Sequence, residues 1–356
     1  MTKKVLMAMS GGVDSTIAAW KLKTVGYHVT GIHFRFWKWR GNDADYDNEI
    51  NRLQRLAEQI GLDLIQADVR EGFKAEVIGQ MLDQLGNGLT PNPCIHCNPS
   101  MKFKQLLAYA DEGQFNLVAT GHYVITERKS NGSMGVYKAK DRSKDQSYFL
   151  CRLDQNVFTR SIFPLGDTRK EENIQIAAGL GLSFEDKPES QDLCFLTNQS
   201  YADFINSELP DIMVPGEIRD TSGKVIGTHR GLPNYTIGQR KGIEIAAEKP
   251  YYVIFKDIEH NALIVGSAEE LKFREMRVNG VNWVSGETTD NLVCDVKIRY
   301  RSPDYACEIT RFGHSDYSVK FSQDIRDITP GQYAVFYRGD EMLGGGMIQS
   351  VENNYV

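Results

Sequence analysis

KVLMAMSGGVDST, residues 4–16, decides the fold. Its first half is a short apolar run of the kind that fills a strand buried on both faces of a parallel sheet. Its second half opens a helix from Asp14 to Val25, with Ile17, Ala18 and Leu22 recurring on one face. The two meet at Gly11-Gly12, where the backbone can turn tightly and approach a ligand with no Cβ in the way. Backbone N–H groups at the helix start, with the Ser10 and Ser15 hydroxyls, would then face an anion. The stretch lacks the Gly-Lys-[Ser/Thr] ending of a Walker A loop and is not G-x-G-x-x-G. A bare Gly-Gly would be an ordinary turn. SGGVDS complete, at the first strand–helix junction, predicts a nucleotide-phosphate loop.

Outward from it the alternation continues. HVTGIHFRF (28–36), LDLIQADV (62–69) and FNLVATGH (115–122) read as strands, and 49–60 and 73–85 as helices. This predicts an α/β fold with a doubly wound parallel sheet over residues 1–199. Near residue 200 the pattern changes. After SYADFINSEL (200–209), one more helix, come short β-type runs parted by Asp-Thr-Ser-Gly, Glu-His-Asn and Arg-Gly-Asp turns. They predict a small mixed middle domain at 200–270 and a β-barrel at 271–356.

The composition agrees with a soluble multidomain chain: 356 residues, 41% hydrophobic, 25% charged. No apolar run nears the roughly 20 residues of a spanning helix, and the N-terminus does not read as an export signal. A reducing, cytoplasmic setting follows, with no membrane partner. The net charge of −6 argues against a uniformly basic surface but leaves room for a local basic groove.

Six cysteines in such a chain point to metal or catalysis rather than a disulfide scaffold. Cys94 and Cys97 lie in TPNPCIHCNPS (90–100), read as a proline-stiffened loop. They match half of a zinc site, with His96 an awkward third ligand. Cys151, Cys294 and Cys307 read as small buried hydrophobes. Cys194, in SQDLCFLTN after a Pro188–Glu189–Ser190 turn, reads equally as core or as site.

The glycine loop resembles the SGGxDS pyrophosphate loop of the PP-loop (HUP-like) ATP pyrophosphatases, in which Asp14 would hold Mg²⁺ or orient pyrophosphate. MSGGVDST, TPNPCIHCN, MKF (101–103), ATGHY (119–123), KDQSYFL (144–150), SQDLCF (190–195), GTHRGLPNYTIGQRKGI (227–243), IRYRSP (298–303) and PGQYAVFYRGDEMLGGGMI (330–348) follow in order. Together they are similar to the tRNA-specific 2-thiouridylases, the MnmA family. The resemblance implies a three-domain enzyme that uses ATP and Mg²⁺ to replace the C2 oxygen of the wobble uridine with sulfur. Its substrates would be the anticodon stem-loops of lysine, glutamate and glutamine tRNAs, with a sulfur carrier or cysteine desulfurase as partner. By position, Ala8, Met9, Ser10, Gly11, Gly12, Val13, Asp14, Ser15, Phe34 and Gly121 would contact ATP. Phe34 stands where the family often has Met. Cys97 would be the catalytic cysteine and Cys194 the persulfide carrier. Asn92, Pro93 and Cys94 would meet the target base. His122, Lys144, Asp145, Gln146, Arg299, Tyr300 and Gln332 would touch the tRNA.

One departure matters. The family commonly has Asp where this chain has Cys94, an aliphatic residue at His96, and a polar or basic one at Pro99. Two mechanisms follow. In one, sulfur from a Cys194 persulfide reaches C2 with formation of a Cys97–Cys194 disulfide. In the other, Cys94, Cys97 and Cys194 hold three irons of a [4Fe–4S] cluster whose open iron carries a sulfide. The extra thiol favours the second. Two rival functions are a PP-loop ligase or sulfurtransferase acting on a small molecule, and a non-catalytic nucleotide- or iron-binding regulator.

Overall fold

The computed structural model describes residues 2–184, 193–196 and 200–351. The 188–190 turn and Gln191–Asp192 of the SQDLCF motif lie outside them. The first strand, β1 (Lys4–Ala8), runs into α1 (Val13–Thr24). Then come β2 (His28–Arg35), α2 (Asp43–Gln59) and β3 (Asp63–Asp68). Successive side chains of β1 serve opposite layers, as a strand covered on both faces requires. Val5 and Met7 pack with Ile17, Leu22 and Leu53 on one side. Leu6 packs with Ile32, Phe73 and Leu106 on the other.

Residues 70–112 are more helical than expected. After β3 the chain forms α3 (Arg70–Phe73), a wider five-residue turn Lys74–Ile78, and α4 (Gly79–Gly86). A second helical run is α5 (Pro93–Cys97), another wide turn Asn98–Lys102, and α6 (Phe103–Glu112). The sheet is completed by β4 (Leu117–Ala119) and, after the hairpin β5 (Val124–Arg128) and β6 (Met134–Lys138) and helix α7 (Gln155–Arg160), by β7 (Ser161–Ile162). Its order is β3-β2-β1-β4-β7, parallel at every pairing. The order reverses between β1 and β4, and ligands of open α/β sheets sit at the strand ends at such a point. Two further helices follow, α8 (Lys170–Gly179) and α9 (Tyr201–Glu208).

The middle sheet holds β8 (Gly216–Asp220), β9 (Val225–His229), β10 (Tyr252–Asp257) and β11 (Ala262–Gly266) in the order β10-β11-β8-β9, with only β11–β8 parallel. The last strands are β12 (Lys272–Trp283), β13 (Asn291–Lys297), β14 (Tyr305–Arg311), β15 (Tyr317–Arg326), β16 (Tyr333–Arg338) and β17 (Glu341–Val351). They run β12-β15-β14-β13-β16-β17, and the β12–β17 pairing closes a six-stranded barrel. The sequence reading missed β12. Register shifts near Phe273, Arg277 and Asn279 break its alternation and hide the period-2 signal. It also missed the β5–β6 hairpin, which leaves the parallel sheet to pair with the barrel through Tyr137 and Glu341. No helix among the described residues is long and apolar enough to cross a membrane.

Candidate thiol and nucleotide site

The glycine loop turns as its residues require. Gly11 has φ +78°, the left-handed region in which only glycine is unstrained. Helix α1 starts beyond Gly12 with no side chain closing its N-terminus, so its first N–H groups are left for an anion. The loop is braced internally. The Ser10 N–H donates to Ser15 Oγ at 3.1 Å, and the Ser15 and Thr16 hydroxyls donate to the Gly12 carbonyl at 3.2 and 3.0 Å. Gly121, just past β4, crosses the start of α1 so closely that a Cβ would lie 3.0 Å from Asp14 C and Ser15 N. Phe34 is buried beside Phe36 and Tyr109 at the end of β2. This bare helix start suits a phosphate chain.

Asp14 has other partners than the sequence implied. Its carboxylate accepts from Lys170 Nζ at 2.7 and 2.8 Å and from the Tyr123 hydroxyl at 2.7 Å. Burial, then the Asp14 charge, pushes the Tyr123 phenol far above its ordinary range, so it remains a donor. In this state Asp14 ties the start of α1 to the start of α8.

The TPNPCIHCN stretch is a helix start rather than a loop. Asn92 caps it, its side-chain oxygen accepting from the Ile95 N–H at 3.3 Å, and Pro93 takes the first helical position, where its missing N–H costs nothing. Residues three apart on a helix share a face, so Cys94 and Cys97 emerge side by side. His96 points elsewhere, its Nε2 lying 3.2 Å from the Glu76 carbonyl.

Cys97 packs against the apolar cluster that includes Phe195 and Leu196, with Leu193 and Ala8 on the same cluster. The Trp39 N–H donates to the Phe195 carbonyl at 2.9 Å, fixing the short 193–196 stretch beside the end of β2. Cys194 is thereby brought into electrostatic range of both helix thiols. Its side chain and that of Cys94 reach solvent, yet protein atoms crowd round them, as in an open recess. Burial pushes the Cys97 thiol up to about 11 and the Cys194 thiol up to about 12, the latter raised further by its two thiol neighbours. Cys94 is raised as well, again by burial. Among the described residues no group of three His, Cys, Asp or Glu side chains stands in a metal-holding arrangement. The donor set is that of a thiolate-bound cluster, but drawing it onto a metal would need the recess to close. Cys151, Cys294 and Cys307 are buried.

The lysine of the MKF motif has a role that its place in the sequence does not announce. Lys102 is the cation that counters the rise at all three thiols, with Lys38 adding to it at Cys194. Its charge also holds down the His122 imidazole, after burial, so that ring is neutral. His122 stacks on Phe103 with centroids 6.1 Å apart, and its Nδ1 lies 2.7 Å from Thr120 Oγ1. A lysine one turn beyond a C-x-x-C on a continuing helix was the available signal. Lys102→Met should therefore slow alkylation of Cys97 by iodoacetamide at pH 9 about threefold to tenfold, because the thiolate fraction falls with each increment of pKa. Mass-spectrometric alkylation rates of the metal-free protein check this; an unchanged rate would exclude Lys102 as a thiolate-stabilising group.

The expected tRNA-facing residues divide. Asp145 is buried, its carboxylate accepting from the Ala139 and Ser147 N–H groups and the Ser147 hydroxyl. Lys144 and Gln146 lie nearer the surface, with the Gln146 side chain accepting from the Tyr123 N–H at 2.9 Å. Arg299 spans two domains, donating to the Ile237 carbonyl at 2.9 Å and to Thr329 Oγ1. Tyr300 packs on Phe149 at 4.5 Å, whose carbonyl accepts from Asn98 next to Cys97. Gln332 donates to the Thr90 and Pro91 carbonyls at 2.9 and 3.3 Å. In this state Arg299 and Gln332 brace the domains around the cysteine helix.

Comparison with known proteins covers nearly the whole chain. Residues 3–198 match the family model described as tRNA methyl transferase HUP domain, residues 202–267 the tRNA methyl transferase PRC-barrel domain, and residues 273–348 the aminomethyltransferase beta-barrel domain. The chain is 38% identical to the tRNA-specific 2-thiouridylase MnmA of Natranaerobius thermophilus, over 98% of each protein. It is 40% identical to that of Geobacter metallireducens, over 98% of this chain and 97% of the relative. It is 38% identical to that of Halothermothrix orenii, over 97% and 99%.

Proposed function

Because the chain belongs to the tRNA-specific 2-thiouridylase family, we propose that it installs sulfur at C2 of the wobble uridine of tRNA through the recess of Cys94, Cys97 and Cys194. The observation that supports this reading is that Cys194 lies in electrostatic range of Cys94, Cys97 and Lys102, that Cys97 and Ala8 pack on one apolar cluster, and that Gly121, next to His122, crosses the start of α1. The loop supports thiolation better than the methyl transfer in the domain names. Its uncapped N–H groups suit a polyphosphate, which a sulfonium methyl donor lacks.

The chemistry has two displacements. The uracil C2 oxygen attacks the α-phosphorus of ATP, and pyrophosphate leaves along the glycine loop, where the α1 N-terminus takes up its charge. Mg²⁺, for which Asp14 is the carboxylate at the loop, would supply further neutralising charge. C2 then carries AMP as its leaving group. With a persulfide on Cys194, the Cys97 thiolate attacks the Cys194 sulfur and forms the Cys97–Cys194 disulfide. Hydrosulfide is released, attacks C2 and expels AMP, and a thiol reductant resets the pair. The raised thiol of Cys97 keeps it protonated until sulfur and base are in place, and Lys102 favours the thiolate then. In the alternative form, Cys94, Cys97 and Cys194 would hold a [4Fe–4S] cluster, which would supply a bound sulfide as nucleophile. A sulfur carrier or cysteine desulfurase would load the site in the cytoplasm, and lysine, glutamate and glutamine tRNAs would be its substrates.

The test is thiolation of tRNA in vitro with ATP, on protein purified without oxygen and analysed for iron and sulfide. Sulfur incorporation together with tRNA-dependent pyrophosphate release is expected. Turnover without tRNA would favour the small-molecule rival, and no turnover the regulator. Cys94→Ala separates the two sulfur routes. It should leave turnover within about threefold for a persulfide and lower it by about 10²-fold or more for a cluster, whose ligand it removes. Iron-free, colourless protein that is fully active with a persulfide donor would exclude the cluster.

A further inference from the structure

The segment that leads into the cysteine helix, Gly88–Pro91, is held from outside its own domain. The barrel grips one side. The Thr90 N–H donates to the Pro330 carbonyl at 2.9 Å, and Gln332 takes the next two carbonyls. Gly331, at φ +90°, lies so close that a Cβ would stand 2.6 Å from Thr90 N. The middle domain grips the other side. Ile258 presses on Gly88, where a Cβ would meet its Cδ1 at 2.7 Å. Lys256, in β10, sends its ammonium to the Tyr235 carbonyl at 3.1 Å and the Leu89 carbonyl at 3.5 Å.

Lys256 is unusual for a lysine. It is only 4% exposed, and among the described residues no carboxylate acts on its charge. A buried, unpaired ammonium is costly unless its position is useful. Burial alone pulls it down to about 8, in keeping with that cost. The two carbonyls it faces belong to the middle domain and to Leu89, three residues before the Asn92 cap.

We infer that Lys256 is a positioning residue for sulfur transfer: it docks the 88–91 segment onto the middle domain and so sets where Asn92, Pro93 and Cys94 present the base. The effect on turnover rests on the thiolation reading; the docking itself does not. Nucleic acid bearing on the outer domains would then be felt directly at the cysteine helix, through Lys256 on one side and Gly331 on the other.

The test is Lys256→Met, which keeps the apolar stem and removes the donors. It is read by hydrogen exchange of the full-length protein and by thiolation at saturating tRNA. Exchange at Leu89 and Thr90 should quicken by about tenfold or more, while the β8–β11 sheet and the melting temperature stay as in the parent. Turnover should fall roughly 10- to 100-fold, with the KM for ATP within about twofold, because the groups are misplaced rather than lost. Parental exchange at 88–91 would overturn the inference. So would faster exchange spread evenly through the middle domain, or faster local exchange with unchanged kcat. If Lys256→Met does not fold, Gly331→Ala strains the same segment from the barrel. It should give the same local exchange and the same split of kcat from KM, and normal behaviour there would equally overturn the inference. If the parent protein thiolates nothing, the exchange measurement still decides whether Lys256 docks the segment, so failure of the activity reading is seen separately.

Discussion

Cys194→Ser should stop sulfur transfer and leave activation of the base running. Cys194 lies in electrostatic range of the helix thiols and takes no part in the glycine loop's own hydrogen bonds, so losing its sulfur removes the second displacement and spares the first. Sulfur incorporation should fall by on the order of 10³-fold or more, because a hydroxyl neither carries a persulfide sulfur nor ligates a cluster as a thiolate does. tRNA-dependent pyrophosphate release in a single turnover should stay within about threefold of the parent. Cys97→Ser should give the same split. The check is a parallel count of thiolated nucleoside and pyrophosphate. Equal loss of both would mean that the recess acts in activation, and the two-displacement scheme would be wrong. Persistent thiolation would remove Cys194 from the chemistry.

Gly121→Ala should fail at the opposite step. Its methyl would stand 3.0 Å from backbone atoms of Asp14 and Ser15, and a backbone cannot swing aside as a flexible side chain does. The start of α1 must shift, and with it the N–H groups that receive the phosphates. A displacement of about 1 Å at a reacting group can cost about 10²-fold, so kcat/KM for ATP should drop by about that factor. Persulfide loading of Cys194 should be unaffected, since the atoms a methyl at residue 121 would meet belong to Asp14 and Ser15 and not to the thiols. Steady-state kinetics against ATP and mass analysis of the loaded protein test both halves. ATP kinetics like the parent's would mean that the crossing has room the structure does not show.

Particular residues show how far the sequence could be read. The β1–Gly11–Gly12–α1 junction was legible because everything it needs is local: an apolar run, a glycine with positive φ and a helix start. The helix at 93–97 was misread as a loop. Pro91, Pro93 and Pro99 together suggest irregular backbone, yet Pro93 sits at the one helical position that suits proline, behind an Asn92 cap. Strand β12 was lost because its bulges erase the alternation that marks a strand. Arg299 and Gln332 looked like RNA contacts, and in this state both hold one domain to another. Lys102 was overlooked because its importance lies in the thiols its charge reaches.

By itself the sequence determined the phosphate loop, the parallel sheet behind it and the chemical identity of the sulfur-bearing groups. These are properties of short stretches, set by backbone sterics, capping and hydrophobic period. Only the tertiary structure decided that Cys194 comes within electrostatic range of Cys94 and Cys97, that burial there raises their thiols and gives them one shared lysine, and that two other domains hold the segment before them. Desolvation and Coulomb interaction depend on what lies near in space, and the chain order of distant segments does not encode that.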